Sequence, residues 1–268
     1  MRLPPLSDDV EWSVCVRDAA SSRVLAAVTA DRVLRTASIG KLFLLIEIAR
    51  AAEAGELDLA EEIARTDEDL VADSGLWHLM SRDAFTIDDL CWLVGGFSDN
   101  LATNVLVRRI GIGAVSATSS SLGFVGSALL DRVRDDRSPE DPWTLSAGNA
   151  DELSGLMARL HRGDIVSASV SSRVLRWVAA NADLSMVAAA FGLDPLAHAE
   201  PDRGVALVNK TGTISTVRGD VGVVSGPAGS VAYAVLASWR DDAADDPRDR
   251  VLAEMAAIGG AIRTHVGA

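Results

Sequence analysis

The chain has 268 residues, 49% of them apolar, so it can bury a full core as one large domain or two closely packed halves. Its 25 basic and 38 acidic residues give a net charge of −13 at pH 7, which repels phosphate backbones and anionic lipid and disfavours nucleic acid as a partner. The chain start lacks the apolar run of a secretory signal, and no segment is long and apolar enough to span a bilayer. We therefore expect no membrane partner and a cytoplasmic protein.

The N-terminal region predicts a β-hairpin followed by a buried helix. Residues 11–17 and 24–29 are short runs of branched apolar residues around a polar stretch, a pattern typical of an antiparallel hairpin. Apolar residues then recur with a helical period from 39 to 54, and Gly55 is the expected C-terminal cap. Ser38 is predicted to lie in the first turn of this helix.

The middle of the chain is predicted to be helical. A capping box at 86–89 opens a helix that is expected to end at 95–96, and helical spacing resumes over 101–110. Ser98 therefore lies on a tight connection between two helices. The charged, proline-containing residues 131–142 predict an exposed loop. Two further helices are predicted over residues 149–161 and 171–182.

The C-terminal region returns to strands. These are predicted over residues 204–209, 220–225 and 231–238. Turns are expected at Gly212 and at 226–229, and a final helix over 247–266 follows an acidic turn at 241–246. Strands at both ends of the chain and helices between them predict one sheet completed by distant segments, with an inserted helical lobe and a cleft between them.

The chain contains only two lysines, Lys41 and Lys210, and arginine fills every other basic position. Lysine differs from arginine in being able to lose its proton. Ser38 and Lys41 lie three residues apart, so a helix places the hydroxyl and the amine on one face. An amine beside other cations and away from water can act as a base, which makes Ser38 a candidate nucleophile. Its backbone N–H at the helix start is one candidate oxyanion donor.

Two further motifs are informative mainly in combination. Ser98-Asp99-Asn100 alone is typical of a helix cap, but beside a nucleophile Ser98 can relay a proton and Asn100 can bind a substrate amide. Lys210-Thr211-Gly212 ends an apolar strand, where a lysine before a glycine is ordinarily solvated. At a cleft it can instead bind a substrate carboxylate, while Gly212 leaves room for a ligand that takes the Thr213 N–H as the second oxyanion donor.

These three motifs, in this order, resemble those of class A serine β-lactamases and the wider family of penicillin-binding serine enzymes. The resemblance covers nearly the whole chain. It implies an α/β (α+β) fold with a five-stranded antiparallel sheet flanked by helices. An α/β lobe is expected to cover about 1–37 and 200–268, and an all-α lobe about 38–199.

The resemblance also implies the role of each site residue. Ser38 is the acylated nucleophile, Lys41 the base and Ser98 the proton relay. Asn100 contacts the substrate amide. The carboxylate site consists of Lys210, Thr211 and Arg218, the last lying on the following strand.

The resemblance fails where class A enzymes carry the glutamate that hydrolyses the acyl intermediate. Leu130-Asp131-Arg132 is present, but the E-x-x-L-N segment that should follow it is missing, and the position expected for the glutamate falls near Arg134. Glu140, Asp135 or Asp136 can be considered as replacements, although each is more simply a solvated acid. The acyl-enzyme is therefore expected to form and to persist.

Three functions follow from this pattern. The first is β-lactam hydrolysis with slow deacylation, the second a non-turnover penicillin-binding or sensing module, and the third an esterase or D-amino-acid peptidase of the same fold. All use a small-molecule amide or ester that bears a carboxylate. We expect no metal or other cofactor. We also expect the protein to be a monomer. Family members are usually exported, which contrasts with the compartment expected above.

Overall fold

The structure is a computed structural model that describes residues 1–72, 74–241 and 246–268. Within these ranges the strands, numbered β1 to β10 in chain order, are Glu11–Asp18, Val24–Val28, Leu34–Arg35, Glu62–Ala64, Ala84–Thr86, Ala128–Leu129, Ser146–Gly148, Ala206–Ile214, Val217–Gly226 and Gly229–Ser238. The α-helices, α1 to α7, are Lys41–Glu53, Ile87–Phe97, Asn100–Ile110, Ile112–Ser121, Ala150–Arg162, Ala168–Val178 and Arg248–Val266. Short 3-10 helices cover Ala37–Gly40, Asp67–Asp69, Trp77–Leu79 and Val187–Phe191.

The principal sheet has five antiparallel strands in the order β2-β1-β10-β9-β8. The hairpin β1–β2 near the start of the chain is thus joined to β8–β10 near its end by the pairing of β1 with β10. The predicted fold class, an α/β fold with a five-stranded antiparallel sheet flanked by helices, is confirmed. The division into two lobes stays a prediction.

Alternate residues of β10 belong to two different cores, as the two-residue period of a strand requires. Ala232 and Leu236 pack into a core that includes apolar side chains of α1, α2, α3, α5 and α6. Tyr233 and Val235 pack into a second core with α7 and the 3-10 helix Val187–Phe191. Both faces of the sheet are therefore covered, and β8 forms one of its edges.

The predicted turn at Gly212 is wrong, and α2 extends one residue beyond its predicted end. Gly212 lies within β8 rather than in a turn, and α2 continues past Gly95 to Phe97. In both places a side chain would collide with a neighbouring backbone. A Cβ added at Gly212 would lie 2.2 Å from the carbonyl oxygen of Thr36, and one at Gly95 would lie 2.2 Å from that of Trp177. These glycines allow close packing of two elements.

The other boundaries agree with the prediction to different degrees. The hairpin and helices α2, α3, α5 and α7 begin within two residues of the predicted positions, whereas α6 begins three residues early. Helix α4 was not predicted. Residues 242–245 of the predicted acidic turn lie outside the described residues. Cys15 and Cys91 are buried free thiols. No helix in the described part of the chain is long and apolar enough to cross a membrane.

Candidate active site

A cavity of about 1170 Å³ opens beside the edge strand β8. Six of the ten residues that the sequence predicted for the site line this cavity, namely Ser38, Ser98, Asn100, Thr211, Thr213 and Arg218. Lys41 and Lys210 are fully buried behind it. Glu140 is exposed and lies outside the cavity lining.

Ser38 lies on the 3-10 turn Ala37–Gly40, immediately before α1 and not within it. Ala37 has a φ of +47°, a left-handed conformation that costs a residue with a side chain on the order of 1–3 kcal/mol. The hydroxyl of Ser146 holds this turn by donating to the carbonyl of Ala37 at 2.5 Å and by contacting the hydroxyl of Thr36 at 2.8 Å. The strained backbone at the candidate nucleophile is thus fixed by neighbouring hydrogen bonds.

The hydroxyl of Ser98 lies close to both lysines. Its oxygen is 3.1 Å from Nζ of Lys210 and 3.5 Å from Nζ of Lys41. Lys41 also donates to the backbone carbonyl of Ser98 at 2.6 Å and to Oδ1 of Asn100 at 2.8 Å. Among the described hydrogen bonds of Lys41, none reaches the hydroxyl of Ser38. The two motif lysines therefore meet at Ser98.

Burial shifts the pKa of both lysines downward. It holds the pKa of Lys41 well below its usual value, the charge of Lys210 lowers it further, and Asp99 opposes the shift. Burial lowers the pKa of Lys210 to about 8, against the opposing effect of Asp183 and Asp220. Lowering the pKa of an amine favours its neutral form, which is the form that can act as a base.

The carboxylate of Asp99, the middle residue of the second motif, is fixed by three backbone hydrogen bonds. Its carboxylate accepts from the backbone N–H of Leu76 at 2.7 Å, of Trp77 at 2.8 Å and of Ala102 at 2.8 Å. The last of these bonds makes Asp99 the N-cap of α3, the role that the sequence suggested for this motif alone. Ser98, at φ +55°, caps the preceding helix, so its hydroxyl is held between two helix ends.

Strand β8 brings the third motif against the turn that carries Ser38. A Cβ added at Gly212 would lie 3.2 Å from the backbone nitrogen of Ser38, so only glycine permits this approach. Thr213, the next residue, pairs with Arg218 on β9. The residues predicted to bind a carboxylate thus lie on β8 and β9, and the two predicted oxyanion donors lie on β8 and on the adjacent turn Ala37–Gly40.

The loop after Asp131 is held by ion pairs on the side of the cavity where the missing glutamate was expected. Arg134 and Arg137 donate to the carboxylate of Asp131 at 2.7 and 2.6 Å, and both arginines line the cavity. Asp135 also lines the cavity and accepts from the backbone N–H of Ala72 at 2.9 Å. The sequence motifs gave no signal for these arginines, nor for two others in the lining, Arg35 and Arg248.

Comparisons with known proteins agree with this architecture. A family model described as the β-lactamase enzyme family matches residues 6–265. A β-lactamase from Sphaerobacter thermophilus DSM 20745 aligns at a TM-score of 0.81 and 23% identity, covering 96% of this chain and 92% of that one. A class A β-lactamase from Mycobacterium abscessus aligns at 0.78 and 19% identity, covering 96% and 94%.

A third solved structure is a mutant of the protein PBP-A as an acyl-enzyme complex with penicillin G. It aligns at a TM-score of 0.77 and 20% identity, and 96% of this chain and 90% of that chain are covered. The search of the curated proteins found no match. At these identities the solved structures show a shared fold, and the family match extends over nearly the entire sequence. This chain belongs to the β-lactamase enzyme family.

Proposed function

We propose that this protein is a serine acyl hydrolase that opens the β-lactam amide through an acyl-Ser38 intermediate and hydrolyses that intermediate slowly. The observation that carries the proposal is the position of the Ser98 hydroxyl. It lies 3.1 and 3.5 Å from two buried lysine amines, in the lining of the same cavity as Ser38. A hydroxyl between two amines of lowered pKa can exchange protons with either.

Acylation follows from this arrangement. Neutral Lys41 takes the proton of Ser38, whose oxygen bonds to the substrate carbonyl carbon. As the carbon–nitrogen bond breaks, the Ser98 hydroxyl gives its proton to the leaving nitrogen and regains one from the Lys41 ammonium. Ser38 and Lys41 share no hydrogen bond among those described, and we expect substrate binding to bring them together, since catalytic hydrogen bonds often tighten only when substrate is bound.

Substrate binding uses the sheet edge. The backbone N–H groups of Ser38 and Thr213 are proposed to hold the developing oxyanion. Lys210, Thr211 and Arg218 are proposed to bind the substrate carboxylate. Charged donors of this kind form short, strong hydrogen bonds to carboxylates.

Deacylation lacks an evident base. Within the described residues the acids that line the cavity are Asp135 and Asp183. Each already accepts hydrogen bonds, Asp135 from the N–H of Ala72 and Asp183 from Ser185. Arg134, near the expected position of the glutamate, cannot take a proton from water. We therefore expect a long-lived acyl-enzyme, which also keeps the non-turnover penicillin-binding module as a second candidate.

Intact mass measured against time tests the proposal. The protein is mixed with penicillin G and, in parallel, with a chromogenic ester. An adduct of one penicillin that decays slowly supports the proposed hydrolase, and an adduct that never decays supports the binding module. Ester turnover without a penicillin adduct supports the esterase or D-amino-acid peptidase. Ser38→Ala must abolish every adduct, and an adduct that survives this substitution contradicts the assignment of the nucleophile.

A further inference from the structure

One end of the cavity carries three arginines from three different elements. Arg35 comes from β3, Arg218 from β9 and Arg248 from the start of α7, and all three line the cavity. They are called the arginine cluster below. The family motifs accounted only for Arg218. The chain has 38 acidic and 25 basic residues, so this concentration of positive charge runs against its overall composition.

Arg218 is buried without a carboxylate partner in the described part of the chain. Only 8% of its surface is exposed. One of its guanidinium nitrogens donates to the backbone carbonyls of Ile214 at 2.6 Å and Val217 at 2.8 Å, and the group lies 5.7 Å from the ring centre of Trp239. Burial, followed by the charge of Arg248, lowers its pKa. The charges of Asp246 and Asp183 oppose this lowering of the pKa, but neither carboxylate forms an ion pair with the guanidinium among the described contacts.

The other two arginines add to this excess. Arg35 donates to the hydroxyl of Thr216 at 2.8 Å, and no carboxylate among the described residues pairs with it. Arg248 pairs with Asp246 at 3.3 Å. Within the described residues, one carboxylate forms an ion pair with the cluster, and Asp183, which lines the same cavity, acts on Arg218 from a greater distance. The charged Lys210 lies on the adjoining strand.

Arg35 lines the cavity with no carboxylate partner among the described residues, and Arg248 has only the partner at 3.3 Å. We infer that Arg35 and Arg248 of the arginine cluster bind a second anionic group, so that the natural acyl donor carries two negative charges on its leaving-group side. The inference rests on the proposed function, which assigns the first carboxylate to Lys210, Thr211 and Arg218. Arg35 and Arg218 bond to the turn that follows Thr213, so a ligand lying along β8 meets the cluster next. Guanidinium groups suit carboxylate and phosphate equally.

Two cephalosporins with the same 7-acyl group test this inference. One has an uncharged substituent at position 3, and the other carries a carboxylate on that substituent. The second-order rate constant for acylation of Ser38 is measured by intact mass for each compound. We expect the dianionic compound to acylate the wild-type protein about tenfold faster, because one charged hydrogen bond contributes roughly that factor.

Variants assign the preference to the cluster. Arg35→Gln is expected to reduce the rate ratio to about one to threefold, whereas Arg35→Lys, which keeps the charge, retains more of it. Arg176→Gln changes the net charge equally at an exposed position of α6 outside the cavity, and the ratio should stay at the wild-type value. If Arg35→Gln does not fold, Arg248→Gln takes its place in the comparison.

The outcomes separate the inference from the function on which it rests. Equal rates with both cephalosporins in the wild type overturn the inference and leave the proposed function intact. An unchanged ratio in a folded Arg35→Gln protein overturns the assignment to the cluster. The absence of an adduct with either compound overturns the proposed function and the inference together.

Discussion

The substitution Gly212→Ala tests whether the close approach of β8 to the turn Ala37–Gly40 is required for acylation. The added Cβ would lie 2.2 Å from the carbonyl oxygen of Thr36, whereas ordinary contact begins near 3.4 Å. One of the two backbones must therefore move by about 1 Å. Overpacking of this kind destabilises a protein by about 1–3 kcal/mol.

The effect on chemistry should exceed the effect on stability. The same Cβ would lie 3.2 Å from the backbone nitrogen of Ser38, so the movement displaces the nucleophile and one oxyanion donor relative to the carboxylate site. A misplacement of about 1 Å in an active site can lower a rate by about 100-fold. We expect acylation by penicillin G, followed by intact mass, to slow by roughly that factor.

A matched substitution controls for the added methyl group. Gly260 lies inside α7, and a Cβ added there would have no neighbouring atom within 4 Å. Gly260→Ala should raise the free energy of unfolding by up to about 1 kcal/mol, because alanine favours helix, and should leave acylation unchanged. Urea unfolding measures both stabilities. A folded Gly212→Ala protein that acylates at the wild-type rate refutes the reasoning.

Three further predictions concern individual charged groups. Burial lowers the pKa of Lys210 to about 8, so its charge, and with it the affinity for a carboxylate-bearing penicillin, should fall as the pH rises through that value. Lys210→Arg should remove this transition from the pH profile of the second-order acylation rate, and a transition that persists contradicts the role of Lys210. Glu140 is exposed outside the cavity, so Glu140→Gln should leave the lifetime of the acyl-enzyme unchanged in intact-mass measurements, and faster or slower decay would assign it a role after all. Asp99 accepts three backbone N–H bonds, so Asp99→Asn should lower the free energy of unfolding in urea by about 2 kcal/mol, and an unchanged value would show that the carboxylate charge is unimportant there.

Local signals in the sequence predicted much of the fold and of the site. The side chains of Thr86 and Asn149 accept the capping hydrogen bonds at the starts of α2 and α5. These bonds involve residues three apart, so the sequence alone displays them. The motif around Ser98 was likewise recognisable because its spacing and order resemble those of a known family.

Features that depend on distant partners were not predictable in the same way. Helix α4 consists largely of glycine, serine and β-branched residues, which favour helix weakly. It is held by contacts with other elements, including the hydrogen bond at 2.5 Å from Thr118 to Glu47 and that at 3.1 Å from Ser119 to the carbonyl of Ser127. Arg35 gave no signal either, because only the folded chain brings β3 beside the turn after β8.

The shared environment of the two lysines argues for different roles at neutral pH. Two ammonium groups beside one hydroxyl repel each other, so the amine with the lower pKa loses its proton first. Lys41 is shifted well below its usual value, and the charge of Lys210 contributes to that shift. Lys210 keeps a pKa of about 8 because Asp183 and Asp220 oppose the effect of burial. Burial and the charge of Lys210 thus favour the neutral amine of Lys41, the form that the proposed mechanism needs to take the proton of Ser38. Asp183 and Asp220 favour the charged form of Lys210, the form that the proposed carboxylate site needs.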